Sequence, residues 1–244
     1  MKQLALVISI VLLVGFQAPE EKKDRNYYEQ RGEIVWEVPG EEKKIALTFD
    51  DGPYPDLTEP ILDILKQYDA KATFFVVGSR VELYPDTIKR EIAEGHEVAN
   101  HTFNHVYFQR NNSAGVQKEI EKTEQALEHL TGKKPILFRP PGGFYNEQMV
   151  QIAKNHGYTV VLWSWHQDTH DWRSPGVNKI VNKVLNNARN GDIILLHDYV
   201  LRSKQTVEAL KIILPELQKR GFQMVTVSEL INNNSDPIDV PGLW

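Results

Sequence analysis

The chain contains no cysteine. That absence excludes structural disulfides, cysteine-ligated zinc, iron–sulfur clusters and cysteine nucleophiles, and it suits an exported protein that needs no redox machinery. Nor is there an excess of positive charge: 28 Lys+Arg face 33 Asp+Glu, a formal charge of −5 over 244 residues. A nucleic-acid binder working by phosphate neutralisation is therefore a poor reading. No G-x-G-x-x-G or Walker A pattern occurs, so nucleotide binding has no support. Repeats and low-complexity tracts are also absent. With 41% hydrophobic and 25% charged residues, the composition is that of an ordinary soluble globular protein.

Long apolar runs are scarce as well. Met1-Lys2-Gln3 is a short positive segment, and Leu4 to Phe16 is an uncharged apolar run. The run falls short of the about 20 residues a spanning helix needs, but it suits a signal-peptide core of roughly 7–15. Residues 1–18 are expected to be a signal peptide or membrane anchor. The protein is then exported: extracellular, cell-wall associated or membrane-anchored. No clean small-x-small triplet precedes Pro19, so cleavage and retention both stay open, and an apolar helix packed on the domain is the alternative. Residues 19–42 mix charges and read as a solvated linker, 43–231 as the domain, and 232–244 as an irregular tail.

Between Lys43 and Ile231 strand and helix patterns alternate. Ile45–Phe49 and Thr73–Val77 read as short apolar strands, followed by 97–99, 136–138, 159–163, 192–196 and 223–227. Helical spacing fills 57–68, 85–94, 113–130, 147–156 and 207–220. Buried strands separated by helices imply βα units and a parallel sheet. About seven such strands predict an α/β fold, a small or distorted (β/α) barrel, with an open doubly wound sheet as the alternative.

The polar residues that need an explanation sit just past strand ends. The first strand ends Thr48-Phe49-Asp50-Asp51-Gly52-Pro53. Two adjacent carboxylates closing an apolar strand do not suit a core, although Asp-Gly-Pro also makes an ordinary turn. His101 and His105, four apart, would face the same way on a helical turn and can share one cation; the plain alternative is a pair of surface histidines. One carboxylate and two imidazoles make a three-ligand site with open positions, as catalytic zinc sites are built. The other carboxylate is then free to act as a base. Arg139-Pro140-Pro141-Gly142-Gly143 is a stiffened loop holding an arginine. Asp168-Thr169-His170-Asp171-Trp172 is a polar segment, and Asp192–Leu196 a buried strand leading into His197-Asp198. Each segment has a structural explanation on its own. All five lie at strand termini, and the carboxyl end of a parallel sheet or barrel is where active sites collect.

Taken together and in this order, these segments resemble the polysaccharide deacetylase family, also called the NodB-homology domain or carbohydrate esterase family 4. The matching stretches are Thr48–Pro53, His101-Thr102-x-x-His105, Arg139-Pro140-Pro141-Gly142, Asp171-Trp172 and Leu195-Leu196-His197. The resemblance implies a distorted (β/α) barrel and a hydrolase that removes acetyl groups from N-acetylglucosamine-containing polysaccharide, peptidoglycan or chitin-like oligomers. It implies Asp50 as catalytic base, His197 as catalytic acid, Asp171 as the partner of that histidine and Arg139 as the group orienting the base. Asp51, His101 and His105 would bind a divalent metal, zinc above all, with cobalt or another divalent ion as alternatives. Trp172 and Leu195 would flank the acetyl methyl. The third motif often carries a bulky residue after its prolines; here it is Gly142, whose N–H can help bind the oxyanion but which supplies no wall to the sugar subsite. The implied partner is an N-acetylated glycan, with no nucleic acid, membrane contact only through the N-terminal segment, and a monomeric state.

The residue types suit amide hydrolysis. A metal activates water, Asp50 accepts its proton, and Arg139 keeps Asp50 ionised. His197 must be charged to protonate the amine, and a neighbouring carboxylate raises its pKa. Asp171 fits that role, with Asp168 as a nearby rival. Tyr107, Phe144, Trp165 and Tyr199 could stack on sugar rings or pack the barrel. Two other readings remain at this stage: a metal hydrolase of a non-sugar amide or ester on the same fold, and a wall-binding module without activity, although no expected catalytic residue is missing.

Overall fold

A computed structural model of the chain describes residues 23–108 and 113–232. The apolar run from Leu4, the start of the expected linker and the tail beyond Asn232 lie outside these residues. Among the described residues no helix is long and apolar enough to cross a membrane.

The chain opens with α1 (Arg25–Gln30) and β1 (Ile34–Val35), then runs β2 (Lys44–Asp50), α2 (Pro55–Gln67) and β3 (Ala72–Val76). Helices α3 (Gly78–Leu83) and α4 (Pro85–Ala93) lead into β4 (Glu97–Asn100), and α5 (Ser113–Thr131) into β5 (Leu137–Phe138). Next come α6 (Glu147–Asn155), β6 (Thr159–Val161) and α7 (Val177–Leu185). The chain then passes through β7 (Ile193–His197), α8 (Gln205–Lys219), β8 (Gln223–Met224) and α9 (Val227–Asn232). Seven parallel strands follow one another in the order β1-β6-β5-β4-β3-β2-β7, with β8 pairing the start of β2. The sheet curls until its two ends approach. Glu37 bridges Asp192, and Asp168 bridges Leu195. This is the expected distorted barrel rather than an open doubly wound sheet.

Strand alternation decides what points where. Ile45, Leu47 and Phe49 of β2, Phe74 of β3, and Ile194 and Leu196 of β7 pack outward against α2, α7 and α8. The intervening residues point inward, where Ala46, Phe75, Ala99 and Ile193 meet Val227, Leu230 and Ile231 of α9. Asp50 and His197 share that inward parity. The β2–β7 register sets them directly side by side at the carboxyl ends of their strands. Helix α9 plugs the opposite end, where the Val227 N–H donates to Thr73 Oγ1 at 2.9 Å.

Three sequence expectations need correction. The described part of the supposed linker belongs to the fold: Tyr28, Ile34, Val35, Trp36 and Val38 are buried, and β1 pairs with β6. Its charges disguised this by pairing locally, Arg25 with Glu29 at 2.7 Å and with Glu37 at 2.8 Å. The expected strand 223–227 stops at Met224, because Val227 begins α9, which includes Asn232. Helix α7 is absent from the sequence reading, although Ile180, Val181, Val184 and Leu185 carry the spacing of one buried face.

Candidate active site at the carboxyl end of the barrel

The strand ends deliver their polar residues to one cleft of about 360 Å³, lined by Asp50, Asp51, His101, His105, Asp168 and His197 and walled by Tyr107, Phe144, Trp163, Trp172, Leu195 and Gly142. A wider groove between α3 and α5, of about 810 Å³, has no comparable convergence of carboxylates and imidazoles.

Asp51 Oδ1 lies 3.0 Å from His105 Nε2 and 3.4 Å from His101 Nε2. His101 Nδ1 contacts the Arg139 carbonyl oxygen at 2.7 Å. A carbonyl can only accept, so Nδ1 carries the proton and Nε2 presents its lone pair to Asp51. Asp51 Oδ1 is itself buried without a hydrogen-bond donor. Lone pairs crowding together in this way repel unless a cation lies among them, so the donor set fits a divalent ion.

The two histidines do not sit on a helical turn. His101 follows β4, and Thr102 (φ 69°) and His105 (φ 54°) take left-handed backbone, as does Asp51 (φ 77°). Such conformations persist where surrounding contacts impose them. Here Glu119 of α5 accepts the N–H groups of Phe103 and Asn104 at 3.1 and 2.7 Å, and Asn100 Oδ1 accepts that of Thr102 at 2.9 Å.

Arg139 is the largest fully buried side chain and occupies the barrel interior. Its NH1 donates to Asp50 Oδ1 at 2.6 Å and to Thr48 Oγ1 at 2.8 Å. Its Nε and NH2 donate to the carbonyls of Val161 and Leu162 at 3.1 and 2.8 Å. Asp50 Oδ2 stands 3.8 Å from His101 Nε2, farther than either approach made by Asp51.

His197 Nδ1 meets Asp171 Oδ1 at 2.7 Å, which leaves Nε2 for the cleft. Asp171 is fully buried and held by the Trp172 N–H, the His197 N–H and the Thr206 hydroxyl at 3.0, 2.9 and 2.7 Å. Burial would lower the His197 pKa, but Asp171 and the two cleft aspartates raise it to about 9. The rival Asp168 contacts His170 instead, at 2.7 Å. Imidazolium is the form below its pKa, so a proton donor at His197 fails as pH rises through that value. Asp171→Asn removes the dominant raising charge and leaves burial, which acts the other way. Its alkaline limb in a kcat–pH profile is expected to move toward or below neutrality, and superimposable profiles would remove Asp171 from this role.

Gly142 (φ 67°) takes left-handed backbone, and a Cβ there would lie 2.8 Å from the Tyr107 ring and 3.0 Å from that of Phe144. These two aromatics occupy the place of the missing motif side chain. Trp165 and Tyr199 are not among the cleft-lining residues; Tyr199 instead stacks on Arg80 at 3.4 Å. Trp163 lines the cleft and had no motif to mark it. Asp198, which the sequence offers only as the residue after His197, lies against Gly52, where any Cβ would collide with its carboxylate, and it accepts from Thr58 Oγ1 at 2.7 Å.

The model of the polysaccharide deacetylase family matches residues 37–161. A peptidoglycan-N-acetylglucosamine deacetylase of Bacillus cereus is 50% identical over 207 residues, covering 85% of this chain and 97% of that protein. The crystal structure of a peptidoglycan N-acetylglucosamine deacetylase bound to an N-oxidanyl-benzamide compound superposes with a TM-score of 0.79 at 34% identity, over 86% of this chain and 97% of its own. A family 4 acetyl xylan esterase from Clostridium thermocellum, in complex with a cobalt ion, gives 0.74 at 34% identity, over 83% and 97%. The chain belongs to the polysaccharide deacetylase family, within carbohydrate esterase family 4.

Proposed function

We propose that this protein is a metal-dependent N-deacetylase of cell-wall glycan that hydrolyses the acetamide of N-acetylglucosamine residues to acetate and a free amine. The observation that carries the reading is the convergence of the Asp51–His101–His105 cradle, the Arg139-bound Asp50 and the His197–Asp171 pair on one cleft. A divalent ion held by Asp51, His101 and His105 would lower the pKa of a water molecule and polarise the acetyl carbonyl. Zinc suits this nitrogen-and-oxygen donor set, and cobalt suits it as well. Asp50, held by Arg139, takes the proton of the attacking water. His197 Nε2 delivers a proton to the nitrogen as the C–N bond breaks, and Asp171 fixes its tautomer and orientation. Trp172 and Leu195 would bracket the acetyl methyl, and the N–H of Gly142 would share the developing oxyanion charge. Peptidoglycan is favoured over chitin-like oligomers by the substrate named for the Bacillus cereus relative and by the export expected from a signal peptide or membrane anchor in residues 1–18.

Acetate release from N-acetylglucosamine oligomers and from purified peptidoglycan tests the reading. Activity is expected on both, lost on chelation and restored by zinc or cobalt. Release from acetylated xylan alone would make the protein an esterase instead. His105→Ala is expected to lose metal and activity together, and an unchanged metal content by elemental analysis would dissolve the three-ligand site. A fusion of residues 1–22 to a reporter active only outside the cytoplasm is expected to give signal; a silent fusion would leave the wall substrate resting on the Bacillus cereus relative alone.

A further inference from the structure

We infer that the chain carries a second divalent-cation site, formed by Glu37, His166 and Asp192, which clamps the seam of the barrel. This goes beyond the deacetylase reading and does not depend on it. Ligand-type atoms from the three residues lie within 4.8 Å of one another. His166 is only 3% exposed, and neither of its ring nitrogens has a hydrogen-bond partner. Its Nε2 nevertheless stands 2.8 Å from Asp192 Oδ1. The contact is close enough for a hydrogen bond and is out of line for one. The cleft shows the same signature, where Asp51 Oδ1 lies 3.0 Å from His105 Nε2 and has no donor. Lone pairs meet in this way when they converge on a common cation rather than share a proton.

The surroundings prepare the carboxylates for such a role. Gln167 Nε2 and the Arg189 N–H donate to Asp192 Oδ2 at 2.8 and 2.9 Å, which orients Oδ1 toward His166. Arg25 donates to Glu37 Oε1 at 2.8 Å, and no donor among the described residues is aimed at Oε2. Arg25 also pairs with Glu29, so its charge is shared between two carboxylates. A buried imidazolium–aspartate pair is the competing account. It would leave two ring N–H groups to satisfy, and His166 satisfies neither. One imidazole with two carboxylates suits zinc, cobalt or another borderline divalent ion.

Position gives the site a purpose. Glu37 follows β1 at one end of the sheet order, and Asp192 immediately precedes β7 at the other. His166 lies in the short 3-10 turn after β6, and Glu37 and Asp192 already form an isolated bridge. A cation held there ties together the two strand ends that no continuous ladder joins, and any ion that binds only the folded form stabilises it.

The test uses the full chain with zinc or cobalt as the probe. The double variant Asp51→Asn/His105→Ala disables the catalytic cradle. It is expected to retain a single equivalent of metal after gel filtration and to melt at higher temperature with added zinc. Adding His166→Gln is expected to abolish both the retained metal and the zinc-induced rise. Adding Glu37→Gln in its place changes a partly exposed residue, so the fold survives, and it is expected to weaken metal binding about 10-fold or more, as loss of a ligand or its support does. A cradle-disabled variant that binds no metal overturns the proposal, and so does one whose binding is indifferent to both additional changes. Wild-type protein whose only metal depends on His166 would support this site and overturn the deacetylase reading.

Discussion

Asp50→Asn is expected to keep its metal and lose turnover on the order of 10²-fold or more, the usual consequence of removing a positioned base. The argument rests on the difference between two neighbouring carboxylates. Asp51 Oδ1 approaches both imidazoles, at 3.0 and 3.4 Å, whereas Asp50 comes no nearer than 3.8 Å to one of them and spends its other oxygen on Arg139. The amide of asparagine preserves the shape and can still accept from Arg139 through its oxygen, but it cannot take a proton from water. Metal content by elemental analysis, read beside kcat, separates the two carboxylates. If Asp50→Asn loses metal in proportion to activity, Asp50 is a ligand and the two roles are reversed.

Arg139→Met is expected to destabilise the protein by about 3–5 kcal/mol, the range for breaking a buried ion pair by removing one partner. Arg139 is 0% exposed, and its loss leaves the buried Asp50 carboxyl without its ion-pair partner while the carbonyls of Val161 and Leu162 lose their donors. Lysine would not substitute, since a single ammonium cannot reproduce the planar fork that reaches Thr48, Asp50 and both carbonyls. The midpoint of denaturant unfolding measures the loss. Arg139→Met/Asp50→Asn is expected to recover part of it, because the unpaired carboxyl is gone. A single variant within about 0.5 kcal/mol of wild type, the range of surface substitutions, would mean that Asp50 does not need its partner.

How much of this could be read in advance depended on distance along the chain. The strand ending at Asp50 was legible because Ile45–Phe49 is a short apolar run closed by carboxylates, and its burial matches. Helix α7 carries equally legible spacing, masked by the polar segments on either side of it. The segment 23–42 reads as a linker because Arg25, Glu29, Glu33 and Glu37 look solvated in one dimension, whereas they are partly buried and ion-paired beside apolar residues that are fully packed. The spacing of His101 and His105 suggests a shared face of a helical turn, a geometry that the loop does not have. Their approach is produced by left-handed backbone at Thr102 and His105, imposed by Glu119 from a helix that follows them in the chain.

The sequence by itself determined the fold class and the stock of chemical groups. Period-two and period-3.6 patterns are local, and so is the tendency of polar residues to follow apolar strands in a parallel sheet. Only the tertiary structure decided which groups meet. The choice of Asp171 over Asp168 as the partner of His197 depends on how the segment after β6 bridges β7. The filling of the Gly142 gap by Tyr107 and Phe144 depends on two loops meeting across the cleft. Glu37, His166 and Asp192 share no motif at all, being drawn together where the curled sheet brings its first and last strands into contact. Sheet register and curl are long-range properties, set by the packing of whole strands and helices, and no local pattern of residues encodes them.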